Sequence, residues 1–283
     1  MKLGYIGYGE AAYAMSLGLA EAGVAEQYAC SRTFSYAGKP EEAGVKRCAS
    51  YQELAAICDM IFVMTPNTAA FSVAQKIAPW LRKGTVYVDL TSSSPGLMRQ
   101  VAAVVGASGA LFVDAAMLDS LPKYRSRVRI VVSGEGAEEF CKRVDGLEMR
   151  VENVGEKPGA ASAIKLLRSL YTKAHLALAF EMLRGAAYYG AEDYVMNSLA
   201  QTMDSKDFIT GMNERICSGL IHAARRADEL EMAAGMLGDA GLSNGIAAAA
   251  SEELREIGRL GLKEKLGDRY PRTWKEALAC LDR

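Results

Sequence analysis

Residues Lys2-Leu3-Gly4-Tyr5-Ile6-Gly7-Tyr8-Gly9-Glu10-Ala11-Ala12 join a short apolar strand to an Ala-rich helix through a glycine turn. Gly7 permits the tight turn, Gly9 lets a ligand approach the backbone without a Cβ in the way, and Ala12 in the third position still allows helix to pack close on strand. The helix expected over Ala11–Ala22 stops at Gly23, a natural C-cap residue. A turn of this kind cradles a dinucleotide pyrophosphate on the positive end of a helix, which makes Gly7, Tyr8, Gly9, Glu10, Ala11 and Ala12 candidate cofactor-binding residues. A G-x-G-x-x-A hexapeptide is a weak signal alone; here it follows a strand at the N-terminus and opens a helix, the context the motif requires.

The first half continues as short apolar runs alternating with helical patterns. Strands are expected at Leu3–Gly7, Gln27–Ser31, Ile61–Thr65, Val86–Leu90, Leu111–Ala115, Val128–Ser133 and near Arg150–Val154, with helices around Tyr51–Ile57, Ala69–Leu81, Gly96–Val105 and Ala137–Val144. That succession predicts a doubly wound, Rossmann-type α/β parallel sheet. Its cleft should lie at the carboxyl ends of the strands, where Gly7 to Ala12, Ser31 to Thr33, Thr65 to Asn67 and Thr91 to Ser94 converge. After Gly155-Glu156-Lys157-Pro158-Gly159 the pattern changes, and one long helix is predicted over about 160–189, roughly 45 Å at 1.5 Å per residue. Helical segments near Tyr194–Met203, Phe208–Leu237 and Ile246–Gly261 follow. The expected division is a dinucleotide-binding domain over 1–158 and an all-α substrate and dimerisation domain over 159–283. A long helix with apolar residues on more than one face must bury them, which predicts a homodimer built on the helical half.

Composition narrows the function classes. With 283 residues, 50% of them hydrophobic, the chain can bury a sizeable core. A formal net charge of -1 offers no field to gather nucleic acid or an anionic membrane. The cysteines Cys30, Cys48, Cys58, Cys141, Cys217 and Cys280 include no C-x-x-C pair and read as reduced thiols. His175 and His222 stand far apart without acidic company, so no metal site is expected. No 18-residue apolar span occurs, and the chain is expected to be soluble and cytoplasmic.

Which dinucleotide is bound should be set at the end of the second strand. NAD-binding versions of this fold place an acid there for the ribose diol. Here the strand ends Tyr28-Ala29-Cys30-Ser31-Arg32-Thr33. Arg32 offers a guanidinium to a 2′-phosphate, and Ser31 and Thr33 add hydroxyls, so NADP is expected, with NAD as the other possibility. The plainer alternative makes Arg32 a surface arginine.

The start of the long helix, Gly159-Ala160-Ala161-Ser162-Ala163-Ile164-Lys165, sets Lys165 among small and apolar residues, with Ser169 and Lys173 on nearly the same face. A lysine partly desolvated in this way has its pKa lowered and can exchange a proton with an alcohol or carbonyl oxygen while hydride moves. Read without further context, Lys165, Arg168 and Lys173 are a solvated stripe on an amphipathic helix.

That context comes from a resemblance. In order along the chain, the glycine turn, Cys30-Ser31-Arg32-Thr33, Met64-Thr65-Pro66-Asn67, Asp89-Leu90-Thr91-Ser92-Ser93-Ser94-Pro95, Phe112-Val113-Asp114-Ala115-Ala116 and Gly159 to Lys165 resemble the β-hydroxyacid dehydrogenase superfamily. The superfamily includes 3-hydroxyisobutyrate and 6-phosphogluconate dehydrogenases, and the chain is most similar to its phosphogluconate-dehydrogenase-like, NAD-binding branch. The resemblance implies that Lys165 is the catalytic lysine, that Thr65 and Pro66 flank the cofactor, and that Thr91 or Ser92 presents a hydroxyl to it. Departures accompany it. The family's D-x-P-V-S-G-G stretch, which holds the substrate carboxylate, is here Asp114-Ala115-Ala116-Met117-Leu118-Asp119-Ser120. The asparagine one turn after the lysine is replaced by Ser169, and a Lys-Asp pair usual in the last helices has only Ala227-Asp228 as a near match.

The expectation is therefore an NADP-dependent oxidoreductase interconverting a small, anionic hydroxy compound with its aldehyde or ketone. Lys165 and Ser169 are its catalytic candidates. Ser92, Ser120, Arg168 and Lys173 are candidates for the substrate, and Lys123, Arg125 and Arg127 lie in a loop that could receive an anion or be surface charge. The alternatives are an imine reductase and a non-catalytic NADP-binding regulatory or assembly protein.

Overall fold

The structure is a computed structural model describing residues 1–34, 40–267 and 269–281. Among the described residues the strands β1 (Leu3–Ile6), β2 (Gln27–Cys30), β3 (Val45–Arg47), β4 (Met60–Val63), β5 (Val86–Asp89), β6 (Leu111–Met117), β7 (Arg129–Ser133) and β8 (Arg150–Asn153) form one sheet in the order β3-β2-β1-β4-β5-β6-β7-β8. Between them run α1 (Glu10–Glu21), α2 (Tyr51–Ile57), α3 (Ala70–Ile77), α4 (Pro95–Gly106), α5 (Leu121–Tyr124) and α6 (Ala137–Val144). Chain order reverses on either side of β1, between β2 and β4, and at such a switch point the loops splay apart and leave a crevice.

The apolar runs form strands because both faces of the sheet are covered. Leu3 and Tyr5 of β1 enter one core with Met15 and Leu19 of α1, whereas Ile6 enters the other with Leu54, Ile61 and Ile77. Each such fully buried aliphatic side chain contributes about 1.5–3 kcal/mol. On the second face a Cβ on Gly4 would lie 3.0 Å from Cys58 Sγ and 3.1 Å from Leu54 Cδ1, so this strand packs closely beneath the end of α2.

The sheet departs from the expected one in three ways. Strands β1 to β6 are parallel, but β7 pairs antiparallel with β6, and β8 follows β7 in parallel, so the sheet is mixed. The reversal follows from the short connection through α5, which returns the chain without a full crossover. Strand β3 was not expected from Val45-Lys46-Arg47, because two charged residues in an edge strand mask its periodicity. The helix expected over Ala69–Leu81 is α3 flanked by 3-10 turns, Pro79 sitting in the second, where its ring cannot continue an α-helix.

Helix α7 (Ala160–Tyr188) has the predicted extent to within one residue. The chain divides into two compact units inside it, Met1–Leu170 and Tyr171–Arg283. Its opening turns belong to the first unit because Ala161 packs with Ala116 and Val131 of the sheet. The second unit contains the rest of α7 and helices α8 (Glu192–Met203), α9 (Phe208–Ile221), α10 (Ala223–Asp239), α11 (Gly245–Arg259), α12 (Leu262–Leu266) and α13 (Trp274–Leu281). The single segment expected over Phe208–Leu237 is broken at His222, whose backbone leaves the helical region. Within this unit the buried Glu181 carboxylate accepts from the Ile246 and Ala247 amides and so neutralises the positive start of α11. No described helix is long and apolar enough to cross a membrane.

Candidate active site

A cleft of about 480 Å³ opens at the carboxyl ends of β1, β2 and β4, lined by Gly7, Tyr8, Gly9, Cys30 to Thr33, Met64 to Pro66, and Tyr51, Ala69, Ser72, Val73 and Lys76. Gly7 has φ +81°, and a Cβ there would meet the Met64 carbonyl oxygen at 2.8 Å. A Cβ on Gly9 would meet nothing within 4 Å, so its absence keeps the floor of the cleft open. The glycine turn is tied to the end of β2: the Tyr8 amide donates to Ser31 Oγ at 3.2 Å, and Ser31 Oγ donates to the Thr33 carbonyl at 2.8 Å. Thr65 Oγ1 is buried at this cleft without a hydrogen-bond partner. An open phosphate-sized floor, first-turn amides of α1 without intrahelical acceptors, an orphaned hydroxyl and the cations Arg32 and Lys76 fit a nicotinamide dinucleotide.

The predicted cofactor residues differ in what they offer. Gly7, Gly9, Ser31, Arg32, Thr33, Thr65 and Pro66 line the cleft; Tyr8 does so too, but its ring is buried and its hydroxyl lies 2.7 Å from Ser16 Oγ. Ala12 is fully buried, Ala11 is half-buried, and Glu10 is exposed in the first turn of α1. Tyr51, Ser72 and Lys76 escaped the sequence reading because they come from helices with no motif of their own. Burial pushes the Cys30 thiol above its ordinary range.

Beside the cleft, the loop after β5 gives each residue a separate task. The Asp89 carboxylate accepts from the Thr91 amide at 2.9 Å and from Thr91 Oγ1 at 2.6 Å. Ser93 Oγ lies between Thr91 Oγ1 (3.0 Å) and the Asn67 carbonyl (3.3 Å), linking this loop to the one after β4. Ser94 caps α4 by accepting from the Leu97 amide. Ser92, at φ +57°, accepts a 2.6 Å hydrogen bond from Lys165 Nζ. The Thr91 hydroxyl, expected to meet the cofactor, donates here to Asp89.

Lys165 reaches Ser92 because the start of α7 is fixed on the sheet. Asp114, fully buried on β6, accepts from the Gly159 amide (3.0 Å), the Ser162 amide (3.0 Å), Ser162 Oγ (2.6 Å) and Ser133 Oγ (3.2 Å). It serves as the N-terminal cap of α7 from a distant strand. Gly159 has φ +98°, and a Cβ there would come 2.8 Å from the Pro95 carbonyl oxygen.

The remaining candidates divide. Ser169 is half-buried and Arg168 exposed on the next turn of α7, Arg168 donating to the Leu118 carbonyl at 3.3 Å. Asp119 takes both prongs of Arg129 at 2.7 Å, and that guanidinium holds its carboxyl below the usual range. Ser120 is exposed at the start of α5, and its side chain makes no capping hydrogen bond. Lys173 is exposed in the second unit. Lys123, Arg125 and Arg127 are exposed, Arg125 and Arg127 pairing with Glu21 and Glu148.

Comparison with known proteins agrees with this geometry. Residues 2–144 match the NAD binding domain of 6-phosphogluconate dehydrogenase, and residues 186–257 match DUF1932, a domain of unknown function. An uncharacterized 28.5 kDa protein of Methanothermus fervidus is 27% identical over 230 residues, 81% of this chain and 88% of that protein. The 2-(hydroxymethyl)glutarate dehydrogenase of Eubacterium barkeri is 26% identical over 190 residues, 65% of this chain and 62% of that protein. A solved conserved protein of unknown function, described as structurally similar to 3-hydroxyacid dehydrogenases, superposes with a TM-score of 0.63 at 28% identity, covering 91% of this chain and 98% of that one. With the glycine cradle, the β5 loop and the lysine helix in one order and the family domain matching half of the chain, the protein belongs to the β-hydroxyacid dehydrogenase superfamily of NAD(P)-dependent oxidoreductases.

Proposed function

We propose that the protein is an NADP-dependent oxidoreductase interconverting a small anionic hydroxy compound and its aldehyde or ketone, with Lys165 as general acid and base. The observation that carries this reading is the 2.6 Å contact between Lys165 Nζ and Ser92 Oγ, on a loop joined through Ser93 and Asn67 to the segment bordering the cleft. When bound, the nicotinamide supplies or accepts the hydride. Lys165 holds a proton at Nζ for the carbonyl oxygen in reduction and takes it from the hydroxyl in oxidation. Ser92 receives one N–H of the ammonium and thereby sets the direction of the others. Ser169, one turn further along α7, orients the reacting oxygen.

The preference for NADP rests on Arg32 and Lys76 lining one cleft, with no acid in Ser31-Arg32-Thr33 to repel a 2′-phosphate. The anionic character of the substrate rests on the cations gathered about the Leu118-Asp119-Ser120 segment, where Arg168 donates to the Leu118 carbonyl and Arg129 pairs with Asp119. Large apolar side chains exposed on the helical unit, Phe180, Tyr194 and Ile209 among them, support a homodimer through that unit, to be checked by sedimentation. The activity is tested by following NADPH absorbance with a panel of semialdehydes and keto acids. Turnover that Lys165→Ala abolishes bears the reading out; no turnover across the panel, or a fully active Lys165→Ala, sinks it.

A further inference from the structure

Asp89 is an expensive residue for the end of a strand. Its side chain has no solvent exposure, and its Oδ2 is buried without a partner. Burial and the neighbouring Asp114 carboxylate on β6 push its carboxyl upward, opposed only by the hydrogen bonds from Thr91. Tyr87, two residues back on β5, is itself buried with an unpartnered hydroxyl. A buried carboxylate facing a second one is unfavourable unless something is gained from it.

What Asp89 holds is the backbone just before Ser92 and, through Thr91 Oγ1, the side chain just after it. Its Oδ1 takes both the amide and the hydroxyl of Thr91, and Thr91 Oγ1 meets Ser93 Oγ, which reaches the Asn67 carbonyl. Ser92 between them lies at φ +57°, a left-handed conformation that a non-glycine residue keeps only when its surroundings enforce it. From that conformation its hydroxyl takes the Lys165 ammonium. We infer that Asp89 is a positioning residue: through Thr91 and Ser93 it locks Ser92 in the left-handed turn and so fixes where the Lys165 amine points. The inference rests on the reading of Lys165 as the proton donor, but its test does not need turnover.

The experiment is trace acetylation of the full-length protein with acetic anhydride, with modification at Lys165 quantified by peptide mass spectrometry. The parent is compared with Asp89→Ala, Asp89→Asn, Thr91→Val, Ser92→Ala and the Asp89→Ala/Ser92→Ala double variant. Asp89→Ala and Thr91→Val should each speed acetylation of Lys165 by about threefold or more, the equilibrium worth of one hydrogen bond. Asp89→Asn, which keeps an acceptor for Thr91, should restore the parental rate. In the Ser92→Ala background Asp89→Ala should add nothing, since both changes cut the same path. Unchanged or slower acetylation in Thr91→Val and Asp89→Ala, or an Asp89→Ala effect that persists in full without the Ser92 hydroxyl, overturns the inference. If Asp89→Ala fails to fold, Thr91→Val and its double variant with Ser92→Ala decide the matter in the same terms. Loss of turnover in Lys165→Ala is a separate measurement, so failure here and failure of the proposed activity are told apart.

Discussion

Asp89 and Asp114 stand opposite each other in register on β5 and β6, both without solvent exposure, and each holds one partner of the Lys165–Ser92 contact. Asp114 caps the helix that carries the lysine, and Asp89 ties down the loop that carries the serine. The two parts of the chain lie more than seventy residues apart in sequence, and adjacent strands of one sheet bring them together.

The carboxyl of Asp89 is raised from 3.8 to about 6, chiefly by burial. The folded state therefore keeps this proton over a pH range in which the unfolded chain releases it, and stability falls as pH rises through that window. Asp89→Asn, which cannot ionise, should be more stable than the parent above pH 6 by up to about 3 kcal/mol, with the gap closing as pH falls toward 4. Urea denaturation at a series of pH values checks this; a gap independent of pH contradicts it.

Replacing Lys165 with alanine should lower kcat by about 10² to 10⁴-fold, the usual worth of a general acid or base. Lys165→Arg should rescue little of it, because a guanidinium does not give up its proton at working pH. NADPH affinity, followed by nicotinamide fluorescence, should stay near the parental value in both.

Arg32→Asp should weaken NADPH by about tenfold to a hundredfold, the scale of a charge-assisted hydrogen bond, while NADH changes far less. Lys76→Ala should move affinity in the same direction by a smaller factor. Equal losses for the two dinucleotides in titration calorimetry would remove both residues from recognition of the 2′-phosphate.

Gly159→Ala demands a left-handed alanine whose Cβ would lie 2.8 Å from the Pro95 carbonyl oxygen. It should cost about 2 kcal/mol or more in chemical denaturation. Asp114→Ala strands the Gly159 and Ser162 amides in the interior and should cost about 3 kcal/mol or more. A change below about 0.5 kcal/mol in both would mean that α7 is not fixed through these contacts.

Much of this was legible in the sequence because it rests on local signals. The glycine turn, the apolar strands and the long helix each follow from a period or from residues with special backbone freedom, and Lys165 stands where an Ala-rich opening turn predicts a half-buried amine. What escaped was non-local. The reversal of β7 depends on how a short connection packs, and the short charged β3 forms because β2 offers it an edge. Nothing local distinguishes Asp89 from any acid that ends a strand, or Lys76 from a surface lysine. Their meaning lies in what the sheet places beside them. Thr91 shows the converse: a hydroxyl at the expected position is used to build the loop.

The capping of α7 by a strand residue has a consequence for where the chain tolerates change. Gly159, Ser162 and Lys165 are all secured before the chain passes Leu170. The contacts that hold the lysine on its serine are thus complete within the first unit, and changes in the helices beyond it leave them intact.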